Sequence, residues 1–188
     1  MSQSFIYQSY ISDLSLCDRI IQAYWDTPNK PQGKIGTSNE SGIVDKTVKD
    51  SVDILLEGTL KNDYFSQLHP VVEAYKQKYP QCDMYAPWGI IQDTNIQHYK
   101  PGGGFFAWHT ERTTGADPIY ASRHLVFMTY LNDVTDGGET EFQLQGIKVQ
   151  PRKGLSLIWP ADWTHTHRGI TSLTQEKFII TGWFNFLK

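Results

Sequence analysis

A histidine and a glutamate separated by one residue, in His109-Thr110-Glu111, are the side chains of this sequence best suited to holding a metal ion. In a β-strand, residues i and i+2 point to the same face, with their origins about 6.6 Å apart. An imidazole and a carboxylate on one face can therefore converge on one ion. Two histidines and one carboxylate on one side of an iron ion leave open positions on the other side, which suits a metal that binds a chelating cosubstrate and O₂ together.

A third ligand must come from elsewhere in the chain, and five other histidines are candidates. They are His69, His98, His124, His165 and His167. His167 is favoured because it follows the short apolar strand that ends near Pro160, and His165 is its close rival. A His-x-Glu tripeptide alone is weak support for a metal site, since both residues are also ordinary on a half-exposed strand. Whether His109 and Glu111 bind a metal must therefore be judged from the rest of the sequence.

Two helices and an irregular loop are predicted in the first half of the chain. Ser15, followed three residues later by Asp18, is typical of a helix start, and apolar residues then recur at helical spacing, which predicts a helix over 15–25. An apolar stripe with spacings of three and four predicts a second helix over 62–79, with a break at Pro70. The stretch 29–42 is rich in Gly, Ser, Asn and Lys, which predicts a loop that can lie over a site.

Short strands are predicted to dominate the second half. From Trp88 onward, alternating runs are separated by Gly, Asp and Pro, which is typical of an all-β sandwich or barrel. The predicted strands cover 90–99, 105–110, 124–131, 140–143, 154–159 and 177–186, and 4–10 is one more candidate. Because there is no internal repeat or linker, we predict one domain over 1–188, with 1–87 as helical support that carries the loop and 88–188 as the catalytic β core.

Composition and charge narrow the class of protein. The chain has 188 residues, with 17 Lys plus Arg against 20 Asp plus Glu and a formal net charge of -3, so it lacks the basic excess that non-specific nucleic-acid binding needs. No apolar run has the length of a membrane helix, and the first residues lack the pattern of a secretion signal. Cys17 and Cys82 are predicted to be free thiols rather than a disulfide, and the protein is predicted to be cytoplasmic.

Several short motifs occur together in a fixed order from Ile96 onward. They are Tyr99-Lys100-Pro101-Gly102-Gly103-Gly104, His109-Thr110-Glu111, Arg123, Thr129-Tyr130-Leu131-Asn132, Gly137-Gly138-Glu139-Thr140-Glu141-Phe142, Pro151-Arg152-Lys153-Gly154, His167-Arg168-Gly169, and Lys177 with Trp183. As a set, they make this part of the chain resemble the prolyl 4-hydroxylase-like branch of the iron(II)- and 2-oxoglutarate-dependent dioxygenases. The resemblance covers the second half of the chain.

The resemblance implies which residues hold the metal. In this family the distal histidine stands two residues before a Gly and is followed by a basic residue on the next strand, which selects His167, Gly169 and Lys177. The implied iron ligands and catalytic centre are therefore His109, Glu111 and His167, and His165 fits this pattern less well. The family usually has Asp where this chain has Glu111. A carboxylate here also disfavours halogenation, because resembling halogenases leave the position vacant for halide.

The resemblance further implies a pocket for 2-oxoglutarate, whose second carboxylate can be buried only if a cation and hydroxyl groups meet it. Lys177 is the implied cation, and strand alternation places Thr181 and Trp183 on its face. Tyr99 and Tyr130 match tyrosines that hydrogen-bond the cosubstrate in resembling enzymes. The alternatives are a solvated strand end for Lys177 and core tyrosines with satisfied hydroxyls for the other two.

The implied fold is mainly β with flanking helices (α+β): a double-stranded β-helix, the cupin-like jelly roll, braced by the N-terminal helices. The implied cofactors are Fe(II), 2-oxoglutarate and O₂, with ascorbate as an optional further one. Decarboxylation of 2-oxoglutarate to succinate would drive hydroxylation of an unactivated C–H bond. The resemblance favours prolyl hydroxylation of a peptide or protein, and a free amino acid, another small molecule or a modified base stays open as substrate.

Two other classes of protein remain open. A cupin-type isomerase or zinc hydrolase would need the metal but not Lys177, and a non-catalytic jelly-roll binding module would leave Lys177 or a ligand outside the cavity. Arg123 and His124 are either core or cleft residues. Five further residues flank the ligands and are candidates for lining a substrate cleft: Phe106, Trp108, Trp159, Trp163 and Arg168.

Overall fold

The computed structural model describes residues 4–36, 41–113 and 118–187. Among these residues, two α-helices are α1 (Ser15–Asp26) and α2 (Gly58–Lys78). The strands are β1 (Tyr7–Tyr10), β2 (Ile35–Gly36), β3 (Ser41–Ile43), β4 (Lys49–Asp50), β5 (Val52–Leu55), β6 (Trp88–Gly89), β7 (Asn95–Tyr99), β8 (Gly104–Phe105), β9 (Arg123–Tyr130), β10 (Thr140–Phe142), β11 (Ile147–Val149), β12 (Leu155–Pro160), β13 (His167–Gly169) and β14 (Lys177–Phe186). Short 3-10 helices cover Pro80–Asp83, Pro118–Ser122 and Trp163–His165.

A large antiparallel sheet lies at the centre of the molecule. Its strand order is β1-β12-β9-β14-β7-β5, and β6 pairs with one end of β14. A smaller sheet has the order β11-β10-β13, and β2–β3 and β4–β8 form two separate pairs. This arrangement of many short strands with two helices confirms the predicted mainly β, α+β class.

The large sheet separates two apolar cores because alternate side chains of each strand point to opposite faces. On β9, Leu125 and Phe127 face the core that contains α1 and α2. Val126 and Met128 face the other core, together with Trp159 of β12. The helices therefore cover one face of the sheet, and the other face is left to the smaller sheet and to the site described below.

α2 corrects the prediction of a broken helix. It begins at Gly58, earlier than expected, and continues without interruption through Pro70. A proline inside a helix costs about 3 kcal/mol because it removes one hydrogen bond and crowds the preceding turn. Five apolar or aromatic side chains of the helix are buried: Tyr64, Leu68, Val71, Val72 and Tyr75. Each contributes about 1.5–3 kcal/mol, so together they outweigh the cost of the proline.

The first half of the chain also contributes strands that were not predicted. β1 was expected and forms one edge of the large sheet, whereas β5 forms the other edge and was missed. The predicted loop over 29–42 contains β2 and the start of β3, and residues 37–40 of it lie outside the described residues. The strand predicted over 90–99 is shorter, since β7 begins at Asn95. The missed strands are two to four residues long, too short for a periodic pattern.

The helix predicted over 15–25 is confirmed as α1, with Leu16, Cys17, Ile20 and Tyr24 buried along one side. Cys17 and Cys82 are both free thiols, as predicted. Within the described residues, neither helix combines the length and the apolar character that crossing a membrane would require.

Candidate metal centre

The backbone brings His109 next to His167, although His109 does not lie on the strand predicted over 105–110. β8 ends at Phe105, and the segment that follows is irregular. His109 instead forms an isolated antiparallel bridge with His167, in which each backbone N–H donates to the other residue's carbonyl at 3.0 Å. The Glu111 N–H then donates to Ala161 O at 3.2 Å. Pairing between distant segments, rather than strand alternation, therefore positions these side chains.

His109, Glu111 and His167 form a compact group of ligand atoms. One atom of each residue lies within 4.8 Å of the other two. Glu111 Oε1 is 3.7 Å from His109 Nε2 and 3.5 Å from His167 Nε2. The side chains of His109, Glu111 and His167 are 18%, 15% and 7% exposed, so the group is mostly buried but still accessible to solvent. Two imidazole nitrogens and one carboxylate oxygen on one side of a point are the donor set of iron(II) oxygenases.

Hydrogen bonds set the orientation of both histidine rings. His109 Nδ1 donates to Ala107 O at 2.9 Å, and His167 Nδ1 donates to His165 O at 2.9 Å. With the proton held on Nδ1, each Nε2 keeps its lone pair for a metal ion. The Phe105 ring stacks on the His109 ring, with centroids 3.6 Å apart, which further restricts its rotation. The residues present therefore fit an iron(II) ion.

The protonation states of Glu111 and His167 also favour the binding of a metal cation. Burial pushes the pKa of Glu111 upward, but the contacts with His109 and His167 and the charge of Arg123 outweigh it and hold the pKa well below its usual range. Burial lowers the pKa of His167. A carboxylate that stays ionised beside a histidine that stays neutral is the protonation state that metal binding needs.

His165, the rival candidate, lies apart from this group. Its Nε2 donates to Ser4 O at 2.9 Å, and its Nδ1 contacts Thr164 Oγ1 at 3.0 Å. Both ring nitrogens are thus engaged elsewhere. His98 contacts the Tyr24 hydroxyl at 3.1 Å, on the helix side of the sheet, and is also separate from the group.

Lys177 lies in the same cavity as the three ligand candidates. The cavity has a volume of about 730 Å³, within the range of small-molecule sites. Lys177 is 5% exposed, and its Nζ donates to Gly138 O at 3.0 Å and lies 4.9 Å from the centre of the Tyr99 ring. Burial lowers its pKa to about 8. Among the described residues Lys177 forms no salt bridge; its hydrogen bond goes to a carbonyl, and the charge of Glu139 acts on it and raises its pKa against the effect of burial.

The other predicted cosubstrate residues divide into two groups. Tyr99, Thr181 and Trp183 line the cavity. Tyr130 is completely buried, and its hydroxyl lies within hydrogen-bond distance of Thr140 Oγ1, at 2.6 Å, and of Val149 O, at 3.1 Å. The described lining of the cavity does not include Tyr130, so its position matches the alternative of a satisfied core tyrosine. Its neighbour Thr140 lines the cavity and was missed.

Arg123, which the sequence left between core and cleft, lies in the cleft. Its Nη1 donates to Glu111 Oε2 at 3.2 Å, and its guanidinium lies 3.6 Å from the centre of the Trp183 ring. His124 points to the other side of the sheet, where its Nε2 donates to Cys82 O at 2.8 Å.

The remaining candidates are distributed around the opening. Trp159 and Arg168 line the cavity, whereas Phe106, Trp108 and Trp163 are outside its described lining. Trp163 is 69% exposed. The stretch 29–42 lies over the site in its described part, since seven of its residues line the cavity: Asn29, Pro31, Gln32, Lys34, Ile35, Gly36 and Gly42.

Comparison with known proteins agrees with this geometry. Residues 94–185, which include all three ligand candidates and Lys177, match the family model of the 2OG-Fe(II) oxygenase superfamily. A viral collagen prolyl hydroxylase from Paramecium bursaria Chlorella virus-1, solved as a 2OG complex, superposes with a TM-score of 0.70 at 17% identity, over 97% of each chain.

Two further solved structures have the same fold. A prolyl-4-hydroxylase from Pseudomonas putida has a TM-score of 0.70 at 16% identity, over 97% of this chain and 92% of that one. A Trichoplax adhaerens prolyl hydroxylase, in complex with a hypoxia inducible factor oxygen degradation domain peptide fragment, has a TM-score of 0.75 at 12% identity, over 98% of this chain and 84% of that one. These similarities confirm the predicted double-stranded β-helix. The match of residues 94–185 is to oxygenases that use Fe(II), 2-oxoglutarate and O₂, and together with the shared fold it supports a dioxygenase of this kind.

Proposed function

We propose that this dioxygenase hydroxylates an unactivated C–H bond in a peptide or protein, with a prolyl ring as the leading target. His109, Glu111 and His167 hold the iron, and Lys177 binds the distal carboxylate of 2-oxoglutarate. The observation that carries the proposal is the presence of both elements in one cavity: a two-histidine, one-carboxylate donor set and a buried lysine that forms no salt bridge among the described residues.

When bound, iron supplies the coupling of 2-oxoglutarate and O₂ to the oxidation of the substrate: one oxygen atom enters succinate, the other enters the hydroxyl group, and CO₂ leaves. The protein has the task of orienting the reactants and limiting the access of water. The hydrogen-bonded rings of His109 and His167 present Nε2 in a fixed direction. A metal held by these three side chains would have protein on one side, so the cosubstrate and O₂ would reach it from the cavity.

Lys177 orients the cosubstrate at its far end. A charge-assisted hydrogen bond to a buried carboxylate is stronger than a neutral one, and it compensates for removing the carboxylate from water. Thr140 and Thr181 line the same cavity and supply hydroxyl groups. An isomerase or hydrolase that works without 2-oxoglutarate would have no use for a buried lysine at this place. The superfamily match disfavours that alternative and the non-catalytic binding module.

A peptide is the favoured substrate because the three fold relatives described above are named as prolyl hydroxylases and one of them is bound to a peptide fragment. The exposed Trp163 is typical of a surface that receives a partner chain, because tryptophan is enriched where peptides and proteins bind. The cytoplasmic location stays a prediction; it agrees with two free thiols and a ferrous enzyme.

Visible absorption of the anaerobic protein with ferrous iron, before and after addition of 2-oxoglutarate, tests the cofactor roles. Chelation of the metal by the 2-oxo acid creates a charge-transfer band. We expect Lys177→Ala to need at least about tenfold more 2-oxoglutarate than the wild type to reach half of the maximal band intensity. This corresponds to a loss of about 1.4 kcal/mol or more in binding free energy. Lys177→Arg, which keeps the charge, is the matched control. If iron binds but no band appears, the metal site is supported and the proposed binding of 2-oxoglutarate to the metal is contradicted.

Substitution of the two neighbouring histidines tests the ligand assignment. We expect His167→Ala to abolish binding of Fe(II) at micromolar metal, because it removes one of the three ligand atoms. His165→Ala should retain iron within about threefold, since its nitrogens contact Ser4 and Thr164 instead. Titration of both variants with Fe(II) by calorimetry measures the difference. The reverse order of affinities would reassign the distal ligand to His165.

The substrate class is tested by incubating the enzyme with proline-rich peptides, the same peptides with alanine in place of proline, and free proline. We expect succinate formation to rise with the first set only, with the gain of one oxygen atom in the peptide by mass spectrometry. Equal stimulation by free proline would change the proposed substrate to an amino acid.

A further inference from the structure

The two oxygens of Glu111 have different surroundings. Oε1 faces the histidine nitrogens of the candidate metal centre, at 3.5 and 3.7 Å. Oε2 points away from them and accepts two hydrogen bonds, from Trp183 Nε1 at 2.9 Å and from Arg123 Nη1 at 3.2 Å. The carboxylate is thus divided into one oxygen directed at the metal position and one that the protein already binds.

The two donors are themselves held rigidly. Arg123 Nε donates to Gln92 Oε1 at 2.9 Å, and Arg123 Nη1 also donates to the Glu111 carbonyl at 3.0 Å. The guanidinium stacks on the Trp183 ring at 3.6 Å, so both donors approach Oε2 from one packed unit. Arg123 is 8% exposed, and at such low exposure a charge-assisted hydrogen bond is only weakly screened by solvent. Oε2 is therefore costly to release.

The number of coordination positions of an iron ion explains why binding one oxygen of Glu111 to the protein is useful. Two histidines, one carboxylate oxygen, a chelating 2-oxo acid and O₂ fill the six positions of an octahedral ion. If Glu111 coordinated through both oxygens, it would take the position that O₂ needs. The arm of glutamate is one methylene longer and more flexible than that of aspartate, so a glutamate ligand can rotate its second oxygen onto the metal more easily.

We infer that Arg123 and Trp183 are positioning residues that restrict Glu111 to one-oxygen coordination by binding its Oε2. They thereby keep a coordination position open for O₂. The inference rests on the proposed metal centre and concerns how this chain uses Glu111 in place of an aspartate ligand. Neither residue is assigned a direct contact with the metal.

Nitric oxide is the probe for the open position, because it occupies the O₂ position of ferrous enzymes without turnover. Anaerobic protein is loaded with Fe(II) and 2-oxoglutarate and titrated with nitric oxide, and the high-spin iron–nitrosyl EPR signal is recorded. We expect Trp183→Phe, which removes only the N–H donor and part of the ring, to keep Fe(II) affinity within about threefold and to retain the charge-transfer band. Its affinity for nitric oxide should fall at least about tenfold. Arg123→Gln should behave in the same way.

Two controls separate positioning from general damage. Trp88→Phe makes the same chemical change on β6, where Trp88 packs on Phe184 and His124, and should leave all three measurements unchanged. In a Glu111→Asp background, the shorter carboxylate no longer reaches both donors, so adding Trp183→Phe should cause no further loss of nitric oxide affinity.

Each contrary outcome overturns the inference. Wild-type nitric oxide affinity in Trp183→Phe and Arg123→Gln would show that Oε2 needs no restraint, and an equal loss in the Glu111→Asp background would show that Trp183 acts elsewhere. If the wild-type protein binds no Fe(II) or shows no band with 2-oxoglutarate, the proposed function fails and the inference fails with it.

Discussion

Lys177 shows how one residue combines a cost in stability with a role in binding. It is buried with a carbonyl and an aromatic ring as its contacts, and burial lowers its pKa from the ordinary 10.5 to about 8. A lysine in such surroundings is destabilising while it is charged. The anion that we propose it binds would remove that penalty.

We expect binding of 2-oxoglutarate to take up a proton at pH 9 but not at pH 7. At pH 9 most of the free protein carries neutral Lys177, since its pKa is about 8, and a carboxylate placed beside it raises that pKa. At pH 7 the lysine is already charged. Calorimetry of the Fe(II)-loaded protein in buffers of different ionisation enthalpy measures the uptake. Lys177→Arg should show none at either pH, and a wild-type protein without uptake at pH 9 would contradict the assignment.

Lys177→Met should stabilise the metal-free protein at pH 7. The folded pKa is lower than the unfolded one, so the cost of burying the charge is fully present below about pH 8 and disappears as the pH rises toward 10.5. A shift of this size corresponds to up to about 3 kcal/mol in the free energy of unfolding. Urea denaturation at pH 7 and pH 9.5 should show a gain that is smaller at the higher pH. No gain at pH 7 would mean that Lys177 is better solvated than its burial indicates.

At the scale of single elements, short segments decide the geometry of the site. β13 is three residues long, and His109 contributes one bridge outside the strands, yet these pieces place two histidines side by side. The elements that support them are longer: β14 carries Lys177, Thr181 and Trp183 along one face. The site is therefore built from irregular segments held by regular ones, which is common where binding residues lie on loops positioned by a rigid scaffold.

α2 offers a test of the balance between local preference and burial. We expect Pro70→Ala to raise the free energy of unfolding by about 1–3 kcal/mol, because the helix regains a backbone hydrogen bond and loses the steric conflict of the ring. Urea denaturation monitored by circular dichroism measures the change. Leu68→Ala on the buried side should lower stability by about 2–5 kcal/mol. A destabilising Pro70→Ala would mean that the proline relieves a strain specific to this helix.

The whole molecule depends on both halves of the chain. β1 and β5, from the first half, form the two edges of the large sheet, while α1 and α2 cover one of its faces. Removing them would expose the apolar face of β9 and β14 and leave two unpaired edges, a combination that favours aggregation. The predicted single domain over 1–188, with support in 1–87, is therefore a proposal that can be tested by division of the chain.

We expect a fragment of residues 88–188 to lack a cooperative thermal transition and to aggregate, whereas the full chain melts as one unit. Circular dichroism during heating and gel filtration of both proteins make the comparison. A fragment that melted cooperatively would show that the β core is an independent domain and that the first half is an addition to it.

The sequence by itself determined the α+β class, the limits of α1 and β14, and the order of motifs that identified the family, because these depend on local periodicity and on residue types at short spacing. Only the tertiary structure decided that His109 meets His167 through a backbone bridge, that Arg123 lies in the cleft, and that Tyr130 faces Thr140 instead of the cavity. These outcomes depend on contacts between segments far apart in the chain, and the sequence carries no spacing that encodes them. The continuity of α2 through Pro70 has the same cause, since burial against the sheet overrides the local preference of one residue.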